Sequence, residues 1–318
     1  MNPITLDSLI ERARACPPLP VAVVDAAETY VLQGAWEAAQ AGLIRPVLVG
    51  DQAKIEKLAQ ELALSLQGIS LIAAEGEEEA AAKGVELVLK GEVFGLMKGW
   101  IHTDVLMHPV LAHLRTVRRV SHVFVAELPT YPKLLYITDA AINIAPNLKH
   151  KAEIVQNAVD LARLLGVSLP KVAALSSVEI VKPEIPSSID AACLSKMAQR
   201  RQIRHAIVDG PLAFDNAISK EAARIKGIDS EVAGEADILL APDLDAGNIL
   251  AKDLAYLAKA TLAGIVVGAK VPIVLPSRSD PPKGRLASCA IAQLMWYNFQ
   301  AMYGGGQPPL TEVGGCKA

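Results

Sequence analysis

The chain has 318 residues, enough for two domains, or one large one, with a sizeable buried core. An apolar fraction of 52% against 20% charged residues excludes a disordered chain, and 4% aromatics supply too few rings to stack single-stranded nucleic acid. The net charge of −3, from 31 basic and 34 acidic residues, makes no field to draw DNA or RNA, so any anion site has to be local.

Residues 1–16 hold Asp7, Glu11, Arg12 and Arg14 and lack an unbroken apolar run, so they are not expected to act as a signal peptide. Strand signals at 21–24, 46–49 and 69–73 alternate with helical patterns at 28–41 and 52–64. Gly42 falls where a left-handed helix cap belongs. The acidic run 75–79 reads as a solvated helix start, and 96–99 as a loop leading to a second helix start at Thr103-Asp104. Arg115, Arg118 and Arg119 are expected on that helix, and strands follow at 122–125 and 134–137. A helix over 149–165, closed by Gly166, leads to a strand at 172–175. Next come a helix over 187–199 opened by Ser187 and Asp190, strands at 206–208 and 238–240, and a helix over 245–262. A last strand at 272–275 precedes a helix over 283–303 and a glycine linker at 304–306. The uncharged stretch 286–311 contains Gln293, Asn298 and Gln300, which suits a buried helix and a loose tail better than a membrane span.

Uninterrupted apolar strands separated by helices specify an α/β fold with a mostly parallel sheet flanked by helices. So many strands, and the long helix after Asn147, suggest two lobes with a cleft: residues 1–148 with 271–318, and 149–270 as an inserted lobe. Cys16, Cys193, Cys289 and Cys316 stand far apart without C-x-x-C spacing, which fits a reducing cytoplasm and indicates neither a zinc knuckle nor a redox pair.

Ligands of parallel α/β sheets bind beyond the carboxyl ends of the strands, where polar clusters stand in this sequence. They are Thr138-Asp139 through Asn143, Ser176-Ser177, Asp209-Gly210-Pro211, Asp243 through Asn248, and Ser277-Arg278-Ser279-Asp280. Each has a plain alternative: Asp245 can cap the next helix, Ser176-Ser177 can close a turn, and Asp209-Gly-Pro is a common turn. Arg115, Arg118 and Arg119, at helical offsets of three and four, either hold a polyphosphate or form a solvated face. Lys98, with the amides near Thr103, is placed to hold a phosphate. Arg200, Arg201 and Arg204 suit a helix end. The six histidines lack metal-protease spacing, and no G-x-S-x-G, P-loop or G-x-G-x-x-G motif occurs. Neither a catalytic metal nor a covalent serine is expected.

In order, the motifs are LMKGWIHTD (96–104), LRTVRRVSHVF (114–124), YITDAAINIAP (136–146), KAEIVQNAVDLA (151–162), VDGPLAFDNAIS (208–219), ADILLAPDLDAGNIL (236–250) and VPIVLPSRSD (271–280). Together they resemble the phosphate acetyltransferase and phosphate butyryltransferase family, and their wording is closer to the butyryltransferase-like branch. The resemblance implies two lobes like those of isocitrate and isopropylmalate dehydrogenases, an active cleft between them, and a homodimer formed through the second lobe. It implies reversible, metal-free acyl transfer in a ternary complex, with coenzyme A (acyl-CoA) and phosphate or acyl phosphate as substrates and no bound cofactor; composition and charge already speak against a nucleic-acid or membrane partner. Ser277-Arg278 fall on the family's Ser-Arg pair, the Arg orienting phosphate through a bidentate fork and the Ser contacting the reacting sulfur or carbonyl. The acetyltransferase branch has an Asp seven residues after that Ser; here it is Gly284, and Asp280, Asp139 or Asp243 are the candidate replacements as thiol base. Substrate-binding candidates are Lys98, Gly99, Thr103, Arg115, Arg118, Arg119, Thr138, Asn143, Ser176, Ser177, Asp209, Asp243 and Asn248. Two other readings are an acyl-CoA sensor that has lost its base at Gly284, and a metal- and NAD-dependent decarboxylating dehydrogenase using Asp243 and Asp245.

Overall fold

A computed structural model describes residues 3–276 and 280–303. Among the described residues the chain divides into two compact units, one formed by Leu6–Val120 with residues 263–303, the other by Ser121–Leu262.

The first unit runs α1 (Leu6–Arg14), β1 (Leu19–Val24), α2 (Thr29–Gln40), β2 (Ile44–Gly50), α3 (Gln52–Glu61), β3 (Ser70–Ala73), α4 (Gly76–Leu89), β4 (Leu96–Lys98) and α5 (Thr103–His113). The second holds β5 (Ser121–Glu127), β6 (Leu135–Thr138), α6 (Leu148–Leu165), β7 (Lys171–Leu175), α7 (Pro186–Gln199), β8 (Ile207–Leu212), α8 (Phe214–Ile218), α9 (Lys220–Ile225), β9 (Ile238–Leu240) and α10 (Leu244–Tyr256). The chain then completes the first unit with β10 (Thr261–Val267), β11 (Ile273–Val274) and α11 (Pro282–Tyr303). Strand order is β3-β2-β1-β4-β11-β10 in the first unit and β5-β6-β9-β7-β8 in the second. Pairing is parallel except for β5 with β6 and β10 with β11, so the sheets are mostly parallel, as the apolar strand runs imply.

Every residue of β1 is buried, which is what a strand covered by helices on both faces requires. Helix starts are capped by side chains that satisfy otherwise orphaned amides: Glu28 for α2, Asp51 for α3, Asn147 for α6 and Asp243 for α10. Gly42 and Gly166, at φ 74° and 122°, follow α2 and α6 as expected.

Several sequence expectations are corrected. Residues 96–98 are strand β4, short and ending in a lysine. The helix expected over 245–262 stops at Tyr256, because Lys259 turns the backbone to φ 56° and the β-branched run beyond it becomes β10. Ser187 does not open its helix: Pro186 takes the first turn, where its missing N–H costs nothing. Asp243, rather than Asp245, caps α10. Asp209-Gly210-Pro211 lies inside β8, at a shift of register against β7. The first boundary between units falls at Val120/Ser121, earlier than 148, because β5 and β6 pair with each other and β6 pairs with β9. Ser277, Arg278 and the glycines 304–306 lie outside the described residues.

Candidate active site

In the first unit, parallel strands β1, β4 and β11 end side by side, with Val24 opposite Lys98 and Val274 opposite Met97. Beyond these carboxyl ends lies a cavity lined by Lys98, Gly99, Pro276 and Arg285, with Tyr30, Val31, Met97 and Trp100 forming an apolar wall beside Glu28. Such a position is where α/β sheets hold ligands. Gly99 is forced by close packing: its amide donates to the Val24 carbonyl at 2.9 Å, and Trp100 donates to the Asp25 carbonyl at 2.9 Å. Lys98 is half-buried. Burial raises the carboxyl of neighbouring Asp25, the Glu77 charge adds to the rise, and Lys54 and Lys98 oppose it.

The start of α5 is already occupied. Glu77 accepts from the His102 amide at 2.8 Å and from its Nδ1 at 2.9 Å, and this backbone bond above all lowers the Glu77 carboxyl. Thr103 therefore sits beside an amide that a phosphate would have to take from a carboxylate. Arg115, Arg118 and Arg119 are not on a helix: α5 ends at His113, and the Thr116 hydroxyl turns the chain by donating to the Gly268 carbonyl at 2.7 Å and accepting from the Arg118 amide at 3.1 Å. Arg115 bridges to Ala269 and is exposed, whereas Arg118 and Arg119 are half-buried.

The second unit brings two of the expected clusters together. Asp139, 3% exposed, follows β6 and accepts four hydrogen bonds. Its Oδ1 takes the amides of Ala141 at 2.9 Å and Ile142 at 3.0 Å, and its Oδ2 takes Asn143 Nδ2 at 2.5 Å and the His122 amide at 3.2 Å. Burial raises the Asp139 carboxyl against the pull of these donors. With each oxygen held twice, Asp139 shapes the 139–143 turn and offers no vacant acceptor for a thiol proton. Asn248 Nδ2 donates to the Ala140 carbonyl at 3.1 Å, and Gly247 lies so close that a Cβ there would stand 2.5 Å from the Asp139 carbonyl oxygen. Thr138 is tied to the His122 carbonyl at 2.7 Å, and Asp243 spends its Oδ1 on the Ala246 amide. Ser176 pairs with Ser187 at 2.9 Å, Ser177 is exposed, and Asp209 bonds its neighbour's amide; none of these three joins the Asp139 cluster through a described hydrogen bond. Asp280 is half-buried, in the first unit.

Residues 73–293 match the family described as phosphate acetyl/butaryl transferase. The chain belongs to this family. A phosphate acetyltransferase of Rhizobium meliloti is 53% identical over 92% of this chain and 94% of its own length. A phosphate butyryltransferase of Clostridium acetobutylicum is 41% identical over 86% of this chain and 92% of its own. Among solved structures, a branched-chain phosphotransacylase from Enterococcus faecalis V583 aligns with TM-score 0.74 at 33% identity, covering 87% of this chain and 99% of that one.

Measured against the family motifs, the structure adds residues that sequence reasoning missed. Arg285, Glu28, Tyr30 and Trp100 line the cavity with Lys98. The local signal for Arg285 was its place, with Lys283, at the head of a helix that carries no other charge. His122 is fully buried, packs edge-on to Phe124 with ring centroids 4.3 Å apart, and has no partner on either ring nitrogen. Burial pushes the Cys289 thiol up to about 12, so it is no nucleophile at neutral pH. Among the described residues no three His, Cys, Asp or Glu side chains are grouped as metal ligands, and no helix is long and apolar enough to cross a membrane.

Proposed function

We propose that this protein is a phosphate acyltransferase that moves a short acyl group between coenzyme A and inorganic phosphate. The observation that carries the reading is family membership across residues 73–293 together with near full-length relatives named for phosphate acetyl and butyryl transfer.

In one direction a phosphate oxygen attacks the thioester carbonyl, the C–S bond breaks, and the thiolate leaves and is protonated. In the other, the thiol loses its proton, its sulfur attacks the acyl phosphate carbonyl, and phosphate leaves as the C–O bond breaks. A free thiol near pKa 8.5 is only a few per cent ionised at pH 7, so the second direction gains from a base. Lys98 supplies positive charge to phosphate, and Arg278 the bidentate fork. The apolar wall of Tyr30, Val31, Met97 and Trp100 supports a place for the acyl chain beside Lys98. Ser277 contacts the reacting sulfur or carbonyl. Of the carboxylates proposed as base, Asp280 is favoured, since it stands three residues after Ser277 in the sequence and in the same unit as Lys98.

The reading includes two lobes in the manner of isocitrate and isopropylmalate dehydrogenases, supported by the division into two compact units. It further includes a cytoplasmic homodimer that uses free coenzyme A and phosphate as substrates and no bound cofactor. Phosphorus NMR of the purified chain with phosphate and, in turn, acetyl-, propionyl-, butyryl- and isobutyryl-CoA tests the reaction: an acyl phosphate resonance is expected with at least one, and its absence with all four in folded protein refutes the assignment.

A further inference from the structure

Arg285 stands in the first turn of α11 with its side chain only 12% exposed. Its Nη1 donates to the Asp280 carbonyl at 2.8 Å, and its Nη2 faces Glu37 Oε2 of α2 at 3.5 Å. Glu37 is itself steadied from the preceding turn, where Gln33 Nε2 donates to its Oε1 at 2.9 Å. The Arg285 Nε is buried without a partner, and it lies against Gly34, where a Cβ would stand 3.0 Å from Nε and 3.3 Å from Cδ. Gly34 thus lets the guanidinium pack directly against the α2 backbone, although glycine in a helix interior costs about 1 kcal/mol relative to alanine.

A nearly buried guanidinium with one short hydrogen bond, one long ion pair and an orphaned N–H is a poor way to stabilise a fold, since an apolar side chain of similar volume often serves as well or better. What this arrangement does accomplish is geometric. It fixes the Asp280 backbone to α2, the helix that contributes Tyr30 and Val31 to the cavity. We propose that Arg285 is a positioning residue for acyl transfer: by holding the Asp280 carbonyl against α2 it sets Asp280 relative to the Lys98 cavity. The inference rests on the function proposed above. Arg285 need touch no substrate, and its effect passes through Asp280.

The experiment uses the purified full chain, phosphate and whichever of acetyl-, propionyl-, butyryl- and isobutyryl-CoA the wild type turns over fastest, with thermal unfolding measured alongside kinetics. Arg285→Ala should lower kcat by about tenfold or more, with KM for that acyl-CoA changed by less than about threefold, because misplacement of the machinery rather than of binding is the cause. Added guanidinium ion, at concentrations that leave the fold intact, should restore part of that kcat. Gly34→Ala supplies the second arm: the added methyl crowds Arg285 at Nε and Cδ and displaces its guanidinium, so kcat should fall by about threefold with a smaller change in melting temperature than in Arg285→Ala. Activity would then part company with stability, which a merely structural role does not allow. An active wild type whose Arg285→Ala variant keeps kcat within about twofold overturns this inference alone. So does a loss that follows the melting temperature in both variants and is not rescued by guanidinium. A folded wild type with no phosphate-dependent release of coenzyme A from acetyl-, propionyl-, butyryl- or isobutyryl-CoA overturns the proposed function, and this inference with it.

Discussion

Gly99 lies so close to Asp25 that a Cβ on Gly99 would stand 2.1 Å from the Asp25 carbonyl oxygen and 2.3 Å from that of Val24. This contact seats the end of β4, and Lys98 with it, against the end of β1. Gly99→Ala sets a methyl against backbone that cannot rotate away. It should cost about 3 kcal/mol, the upper end of overpacking penalties, read as a lower urea midpoint. The variant that remains folded should also show a raised KM for phosphate, because Lys98 moves with the strand. An unchanged midpoint would mean that β1 and β4 are not held as described.

His122 should make the protein sensitive to acid. Burial lowers its pKa from 6.5 to about 3, so the folded state holds it neutral where the unfolded chain would protonate it. Its contribution is fully present above about pH 6.5 and is lost as pH falls toward about 3, at up to roughly 1.4 kcal/mol per pH unit. His122→Leu should flatten urea stability between about pH 6 and 4 relative to wild type. Equal slopes for the two proteins would show that His122 is not buried neutral.

Four substitutions at three positions separate the proposed roles of the acidic and basic groups. Asp139→Asn places an amide where donors converge, so it should lose about 2–4 kcal/mol of stability while the shape of its pH–rate profile stays that of wild type. Asp280→Asn should remain stable and lose the acidic limb of the profile in the thioester-forming direction. Arg278→Ala should lower turnover by about two orders of magnitude, and Arg278→Lys should recover little of it. If Asp139→Asn, and not Asp280→Asn, removes the acidic limb, the base assignment is reversed.

Legibility in the sequence followed the range of the interactions. The strand at 21–24 announced itself because burial on both faces leaves no polar residue to interrupt it. β4 did not, since three residues ending in Lys98 carry no period, and its place comes from pairing with β1 and β11. β10 was masked by the helical pattern before it, which runs on until Lys259 takes a positive φ. The clusters at 138–143 and 243–248 were found as neighbours of strand ends, and the structure does join them through Gly247 and Asn248. That Asp139 would be filled by its own turn and by the His122 amide was not legible, because one donor comes from another strand. Arg285 depends on Glu37 and Gly34, near the other end of the chain, and no local pattern links them.

The central claim is acyl exchange between coenzyme A and phosphate, and the most direct measurement is the initial rate of thiol release from acetyl-, propionyl-, butyryl- and isobutyryl-CoA as phosphate is varied. Folded protein should release thiol from at least one of the four, with a rate that saturates in phosphate, vanishes without it and persists in a metal chelator. Thiol release that is absent for all four, or that proceeds at the same rate without phosphate, would contradict the account.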